Sequence, residues 1–254
     1  MIELCDLAKT YGPVAAVDGI NLQIGTGEFL VLAGQSGSGK TTTLSLINRL
    51  VEPSRGAVLI DGVDTRETDA VVLRRQIGFV FQDIGLFPHM TVAENVGITL
   101  KLAGRTRAGI AVRVEEMLTL VRLAPERYRD VFPAALSGGQ RQRVGVARAL
   151  AASPRVMLMD EPFGALDPPT RDELAADYRR IHERLGLTTV LVTHDMTEAM
   201  LLGDRIALMR EGRLVQVGSP RELITSPADD FVRAMMESPK RRARALAELQ
   251  AGPA

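Results

Sequence analysis

The sequence predicts an α/β fold, and three observations carry the prediction. Apolar runs of strand length recur at 29–33, 77–81, 155–159 and 188–193, each giving way to polar residues, the look of buried strands in a parallel sheet. The first of them runs into a glycine-rich stretch and then into helical spacing over 42–47. Between 83 and 135 strand-like runs stop and helical periodicity takes over.

The glycine-rich stretch is Gly34-Gln35-Ser36-Gly37-Ser38-Gly39-Lys40-Thr41, two glycines with four residues between them, followed by Lys and Thr. It reads as a phosphate-binding loop. Its glycines let backbone N–H groups turn inward around an anion, and the helix that follows adds the positive end of its dipole. Lys40 reaches the outer phosphates, and the Thr41 hydroxyl suits Mg²⁺, a hard ion that prefers oxygen. A nucleotide site is expected here, with Thr42 opening the helix.

Composition excludes several classes. Lys+Arg and Asp+Glu both number 31, so the basic excess of a nucleic-acid binder is missing. No apolar run reaches the length of a membrane-spanning helix, and Met1-Ile2-Glu3-Leu4 lacks the regions of a signal peptide. A cytosolic location is expected. The single cysteine, Cys5, reads as a packed thiol.

In chain order, 2–9 and 16–24 have the apolar content of strands, with Tyr11-Gly12-Pro13 as the turn between them. Tyr11 is either a base-stacking aromatic or a partly buried surface residue. Residues 57–60 read as a strand ending in an Asp61-Gly62 turn. Gln82, at the end of the 77–81 strand, either ligates Mg²⁺ or holds a water through its amide oxygen, or is ordinary strand-end polarity. Thr91 with Glu94 is a capping box that starts a helix over 92–102, and a second helix is expected over 110–123. The loop before it, with Leu86, Phe87 and Met90, is a contact surface or packs on the neighbouring helix. His89 has no partner at metal-ligand spacing.

Leu136-Ser137-Gly138-Gly139-Gln140 then opens a helix over 141–151, a second helix start suited to an anion. The 155–159 strand ends in Asp160-Glu161, carboxylates at the sheet edge where α/β folds keep ligands. One can hold Mg²⁺ and the other can orient or deprotonate water. Asp167 precedes Pro168-Pro169 and a polar helix over 170–185. The 188–193 strand delivers His194, either a catalytic group or one merely hydrogen-bonded in place. Residues 206–209 and 214–217 form a hairpin, and 240–244 is a basic run whose default is a solvated tail.

With these segments in order, the chain resembles the nucleotide-binding subunits of ATP-binding cassette (ABC) transporters over nearly its whole length. Residues 136–140, between a helical insertion and the acidic strand, look like that family's signature sequence. The resemblance implies a P-loop NTPase with a RecA-like core, an N-terminal antiparallel β subdomain and an inserted α-helical subdomain at about 84–135. It implies an ATPase domain over 1–236 and a basic tail over 237–254. Two ATP molecules with Mg²⁺ are expected between paired subunits, each touching the phosphate loop of one and Ser137, Gly138, Gly139 and Gln140 of the other. Carried over by position, Tyr11 stacks on adenine, Lys40, Thr41 and Thr42 contact phosphate and Mg²⁺, and Gln82 senses γ-phosphate and Mg²⁺. Asp160 is the Mg²⁺-associated aspartate, Glu161 the catalytic carboxylate, Asp167 the residue communicating across the dimer, and His194 the γ-phosphate switch.

The expected partners are integral membrane permease subunits, docked near Gln82 through Leu86-Phe87-Pro88, and indirectly a periplasmic or lipid-anchored substrate-binding protein. The chain would then sit peripherally on the cytoplasmic face of the inner membrane. Residues 47–50, 84–89 and 161–167 are most similar to importers of glycine betaine, choline and related quaternary amines. A non-transport cassette ATPase would usually show fused cassettes or a long coiled insertion, and a kinase has no need of 136–140.

Overall fold

The computed structural model describes residues 1–237, so the basic run at 240–244 and the tail from 238 onward lie outside the described residues. The chain opens with a hairpin, β1 (Ile2–Tyr11) and β2 (Val14–Ile24). Tyr11 is the last residue of β1 and pairs with Val14, rather than lying in the turn as the sequence suggests. Gly12 and Pro13 alone make the reversal, and an aromatic with high strand propensity extends the ladder to its end. Next come β3 (Phe29–Gly34), α1 (Lys40–Ile47), β4 (Arg55–Ile60), the two-residue β5 (Val63–Asp64), α2 (Ala70–Gln76) and β6 (Ile77–Val80). Three helices follow, α3 (Val92–Leu102), α4 (Arg107–Leu120) and the short α5 (Pro125–Tyr128), before α6 (Gly138–Leu150). The second half alternates β7 (Val156–Asp160), α7 (Pro168–Leu185), β8 (Thr188–Thr193) and α8 (Met196–Leu202), followed by β9 (Arg205–Arg210), β10 (Arg213–Gly218) and α9 (Pro220–Thr225), with a further helical stretch over 230–237.

Two sheets result. One is four-stranded and antiparallel in the order β2-β1-β4-β5, and the other is six-stranded in the order β10-β9-β3-β8-β7-β6. All neighbours in the larger sheet run parallel except β10 on β9. Strand alternation splits its two faces between two cores. Phe29, Val31, Ala33, Met157, Met159 and Leu191 point into a cluster shared with the helices. Leu30, Leu32, Val156, Leu158, Val190 and Val192 point into another, shared with α1 and the antiparallel sheet. Fully burying a side chain of this size contributes about 1.5–3 kcal/mol.

In the inserted helices, Val92, Val96 and Leu100 of α3 recur every four residues and pack with Val114 and Leu118 of α4 and Val144 of α6. Thr91 and Glu94 form the expected capping box. The short helices α2, α8 and α9 have no counterpart in the sequence reading, because six or seven residues are too few to display a period. Their local signal is the N-cap, respectively Asp69, Asp195 and Ser219, the last joined by Pro220 and the capping-box Glu222. Among the described residues no helix is long and apolar enough to cross a membrane.

Candidate active site

The parallel order β3-β8-β7-β6 sets four strand ends side by side. Gly34 ends β3 and leads into the phosphate loop, His194 follows β8, Asp160 ends β7 with Glu161 next, and Gln82 lies two residues past β6. The loop's conformation requires its glycines. Gly34 has φ 151° and a Cβ there would meet the Met209 carbonyl at 2.3 Å. Gly39 has φ 100° and a Cβ would meet the Ala16 carbonyl at the same distance. Either side chain would displace backbone. Lys40 is 5% exposed, and its Nζ donates to the carbonyl oxygens of Gly34 and Gln35, both at 2.9 Å. Burial lowers the Lys40 pKa, while the Glu161 and Asp160 carboxylates act the other way. Ser38 Oγ is buried without a hydrogen-bond partner, an orphaned donor inside a loop of inward-turned amides, as an anion-binding cradle would have.

Thr41 Oγ1 donates to Asp160 Oδ1 at 3.0 Å. Asp160 is buried, and burial raises its pKa against the opposing pull of the Thr41 hydroxyl and Lys40. A hydroxyl and a carboxylate at hydrogen-bond distance are the oxygen donors that Mg²⁺ takes when it keeps several waters and binds phosphate. The donor set therefore fits that ion. Next to it, Glu161 has φ 42°, a left-handed conformation that a non-glycine residue adopts at a cost of about 1–3 kcal/mol. Its N–H donates to the Val192 carbonyl at 2.9 Å, and its Oε1 lies 3.1 Å from Nδ1 of His194.

Other candidates are held elsewhere. Ser137 and Gln140 form a reciprocal capping box: the Ser137 hydroxyl accepts the Gln140 N–H at 3.2 Å and Gln140 Oε1 accepts the Ser137 N–H at 2.9 Å. The Gln140 amide also donates to the Tyr128 hydroxyl at 3.1 Å. Gly138 and Gly139 neighbour Leu166 and Thr170, not the phosphate loop of the same chain. Asp167 caps α7 by accepting the Thr170 N–H, and that bond holds its carboxyl below the usual range. Tyr11 is half exposed in the antiparallel sheet with Lys9 Nζ 5.2 Å above its ring. Gln35, Ser36, Gly37 and Gln82 are exposed, and Thr42 is half-buried.

A family model described as ABC transporter matches residues 17–164, more than half the chain. The chain belongs to the ABC transporter family. It is 51% identical over 233 residues to the choline transport ATP-binding protein OpuBA of Bacillus subtilis, spanning 91% of this chain and 61% of that one. It is 50% identical over 233 residues to the glycine betaine uptake system ATP-binding protein YehX of Escherichia coli, spanning 92% and 75%. The sulfate/thiosulfate import ATP-binding protein CysA of Bordetella parapertussis is 49% identical over 235 residues, with 91% and 65% covered. The chain thus spans about three-fifths of the length of several curated relatives. Among solved structures, the dimeric ATP-binding cassette MJ0796 in a post-hydrolysis state with ADP and Pi superposes with a TM-score of 0.78 at 38% identity, over 86% of this chain and 98% of that one. The mixed fold read from the sequence is therefore the cassette fold of this family.

Sequence reasoning missed the residues that hold the ABC site from behind. Thr193 accepts the Asp195 N–H at 3.0 Å and donates to Glu198, and Arg171 reaches the carbonyls of Leu166 and Gly164. Asn95, fully buried, ties down the 87–91 loop. None of these has a local signature, since Arg171 and Asn95, one turn into their helices, look solvated and Thr193 looks like any strand-end hydroxyl until the chain is folded.

Proposed function

We propose that this chain binds and hydrolyses ATP to drive an ABC importer of quaternary amines such as glycine betaine or choline. The observation that carries the ATPase reading is the Glu161–His194 pair, 3.1 Å apart, beside a phosphate loop whose lysine is buried among backbone carbonyls. Glu161 orients a water and takes its proton as the water oxygen bonds to the γ-phosphorus and the bond to the bridging oxygen breaks, while His194 holds a γ-phosphate oxygen. Thr41, Asp160 and Gln82 would hold Mg²⁺, which would supply charge neutralisation on the phosphate oxygens. Tyr11 stacks on the adenine, and Gln35, Ser36, Gly37, Ser38 and Thr42 line the phosphates.

Ser137, Gly138, Gly139 and Gln140 act on the ATP of a second subunit, with Asp167 at the junction. Support comes from the separation of this helix start from the chain's own phosphate loop and from the dimeric state of the MJ0796 cassette. The permease subunits dock beside Gln82, where Phe87 is 41% exposed on its loop. That docking makes the chain peripheral on the cytoplasmic face of the membrane. A substrate-binding protein delivers the solute, in which an aromatic cage would hold the methylated cation.

The substrate class rests on the resemblance around Asn48, Gly85 to His89 and Phe163 and on relatives named for choline and glycine betaine. A sulfate-type relative of similar identity keeps a second reading, import of another small solute. Deleting the gene and measuring uptake of labelled betaine, choline and sulfate in high-osmolarity medium separates the two. Loss of betaine or choline uptake, restored by the intact gene and not by Lys40→Ala, is expected. Loss of sulfate uptake alone would reassign the cargo and keep the ATPase.

A further inference from the structure

The loops that carry Glu161 and His194 are joined twice. In front, the imidazole meets the carboxylate. Behind, a single guanidinium reaches both: Arg171 Nη2 donates to the Leu166 carbonyl at 3.0 Å and lies 3.5 Å from that of Gly164, while Nη1 faces Asp195 Oδ2 at 3.5 Å. The Gly164 N–H donates to the Glu161 carbonyl at 3.2 Å, which closes the ring back on the catalytic carboxylate.

On the other side of the ring, both neighbours of His194 are pinned. Asp195 divides its carboxylate, Oδ1 capping α8 through the N–H groups of Thr197 and Glu198 and Oδ2 turned to Arg171. Its own N–H is held by Thr193 Oγ1, which in turn donates to the buried Glu198. His194 itself is exposed, so its placement depends on these flanking anchors.

We infer that Arg171 is a positioning residue that couples the 164–167 segment, next to Asp167, to the turn carrying His194, so that closure of the subunit pair sets the Glu161–His194 geometry. This rests on the composite-site reading above. A planar fork suits the task, because it can bond two carbonyls and a carboxylate in one plane, which an ammonium cannot. Displacing 166 then shifts Asp195, and with it the imidazole one residue away. The phosphate loop is not part of the ring, so the contacts that Lys40 and the loop amides make are untouched and the change falls on the His194 contact alone.

The test is the steady-state kinetics of Arg171→Met and Arg171→Lys in the wild-type and His194→Ala backgrounds of the assembled transporter, with ATP binding followed by a fluorescent analogue. Arg171→Met is expected to lower kcat about tenfold with the KM for ATP unchanged, and Arg171→Lys, which keeps the charge toward Asp195, to recover part of the loss. In the His194→Ala background the same change is expected to cost less than about twofold, because coupled residues are not additive. An equal tenfold loss in both backgrounds, or a rise in KM with kcat intact, overturns the inference. If Arg171→Met does not fold, Arg171→Lys carries the same comparison. Full activity in His194→Ala alone would overturn the site reading and this inference together, whereas additivity overturns only the latter.

Discussion

Thr41 and Asp160, 119 positions apart in the chain, meet through a 3.0 Å hydrogen bond between Oγ1 and Oδ1. The bond spans the start of α1 and the end of β7, and it holds together the hydroxyl and the carboxylate that would serve a divalent ion. Asp160→Asn keeps the hydrogen bond and removes the charge. The variant is expected to need at least about tenfold more Mg²⁺ for half-maximal ATPase activity, and removal of the ion with EDTA is expected to abolish turnover in the parent protein. An unchanged Mg²⁺ titration would remove Asp160 from the metal site.

Glu161→Gln preserves shape and removes the base. Turnover is expected to fall by about 10²–10⁴ while ATP still binds and closes the pair. Phosphate release measures the first effect and light scattering with ATP the second. Near-normal turnover would take Glu161 out of the role.

Mixing Lys40→Ala with Ser137→Arg tests whether the anion sites belong to two chains. Each variant alone is expected to be inactive, while a mixed pair can place both lesions on one nucleotide and leave the other site whole. Recovered ATPase activity in mixtures shown to contain mixed pairs is expected; a Ser137→Arg protein that is active alone would contradict the composite site.

Asn95→Ala addresses the loop beside Gln82. The Asn95 amide donates to the carbonyls of Phe87, Met90 and Thr91 at 3.0–3.1 Å and accepts the Phe87 N–H at 2.8 Å. Losing it leaves the Phe87 N–H and the Met90 carbonyl without this partner, while the Phe87 and Thr91 carbonyls keep the N–H groups of Met90 and Asn95, for an expected destabilisation of about 2–4 kcal/mol. Urea unfolding gives the magnitude, and faster proteolysis within 84–91 would locate it. A change below about 0.5 kcal/mol would mean that the loop holds itself.

Glu198 gives a pH dependence. Burial, with help from Asp195 and against the Thr193 hydroxyl, Arg171 and His194, raises its carboxyl from an ordinary 4.5 to about 7. The folded protein binds this proton more tightly than the unfolded chain, so the contribution to stability is complete below about pH 4.5. It is lost as pH rises toward 7 and falls no further above that. Glu198→Gln imitates the protonated acid and is expected to raise Tm more at pH 8 than at pH 5. An equal shift at both values would show that Glu198 does not titrate in this window.

How much of this was legible depended on whether the physics was local. The phosphate loop, the Thr91–Glu94 box and the 188–193 strand were readable because backbone conformation, capping and burial on two faces each impose a residue pattern within a few positions. Tyr11 was misplaced by one structural state, since a two-residue hairpin leaves no room for an aromatic that sequence alone could set on either side of the boundary. Arg171 was illegible because its carboxylate partner comes from another segment, and Asn95 and Glu198 because which nearby carbonyl or hydroxyl they meet depends on how the preceding loop or strand end turns back on the helix. The left-handed Glu161 was likewise invisible, because nothing in an Asp-Glu-Pro run announces strain.

The larger sheet also acts as a partition. Phe29, Val31 and Ala33 face the side that holds Val92, Val96 and Val144, whereas Leu30 and Leu32 face the side that holds Leu44 and Ile47 of the helix behind the phosphate loop. Repacking in response to a changed side chain travels through touching atoms. A changed side chain in the helical half can therefore be accommodated there while the other half keeps its packing.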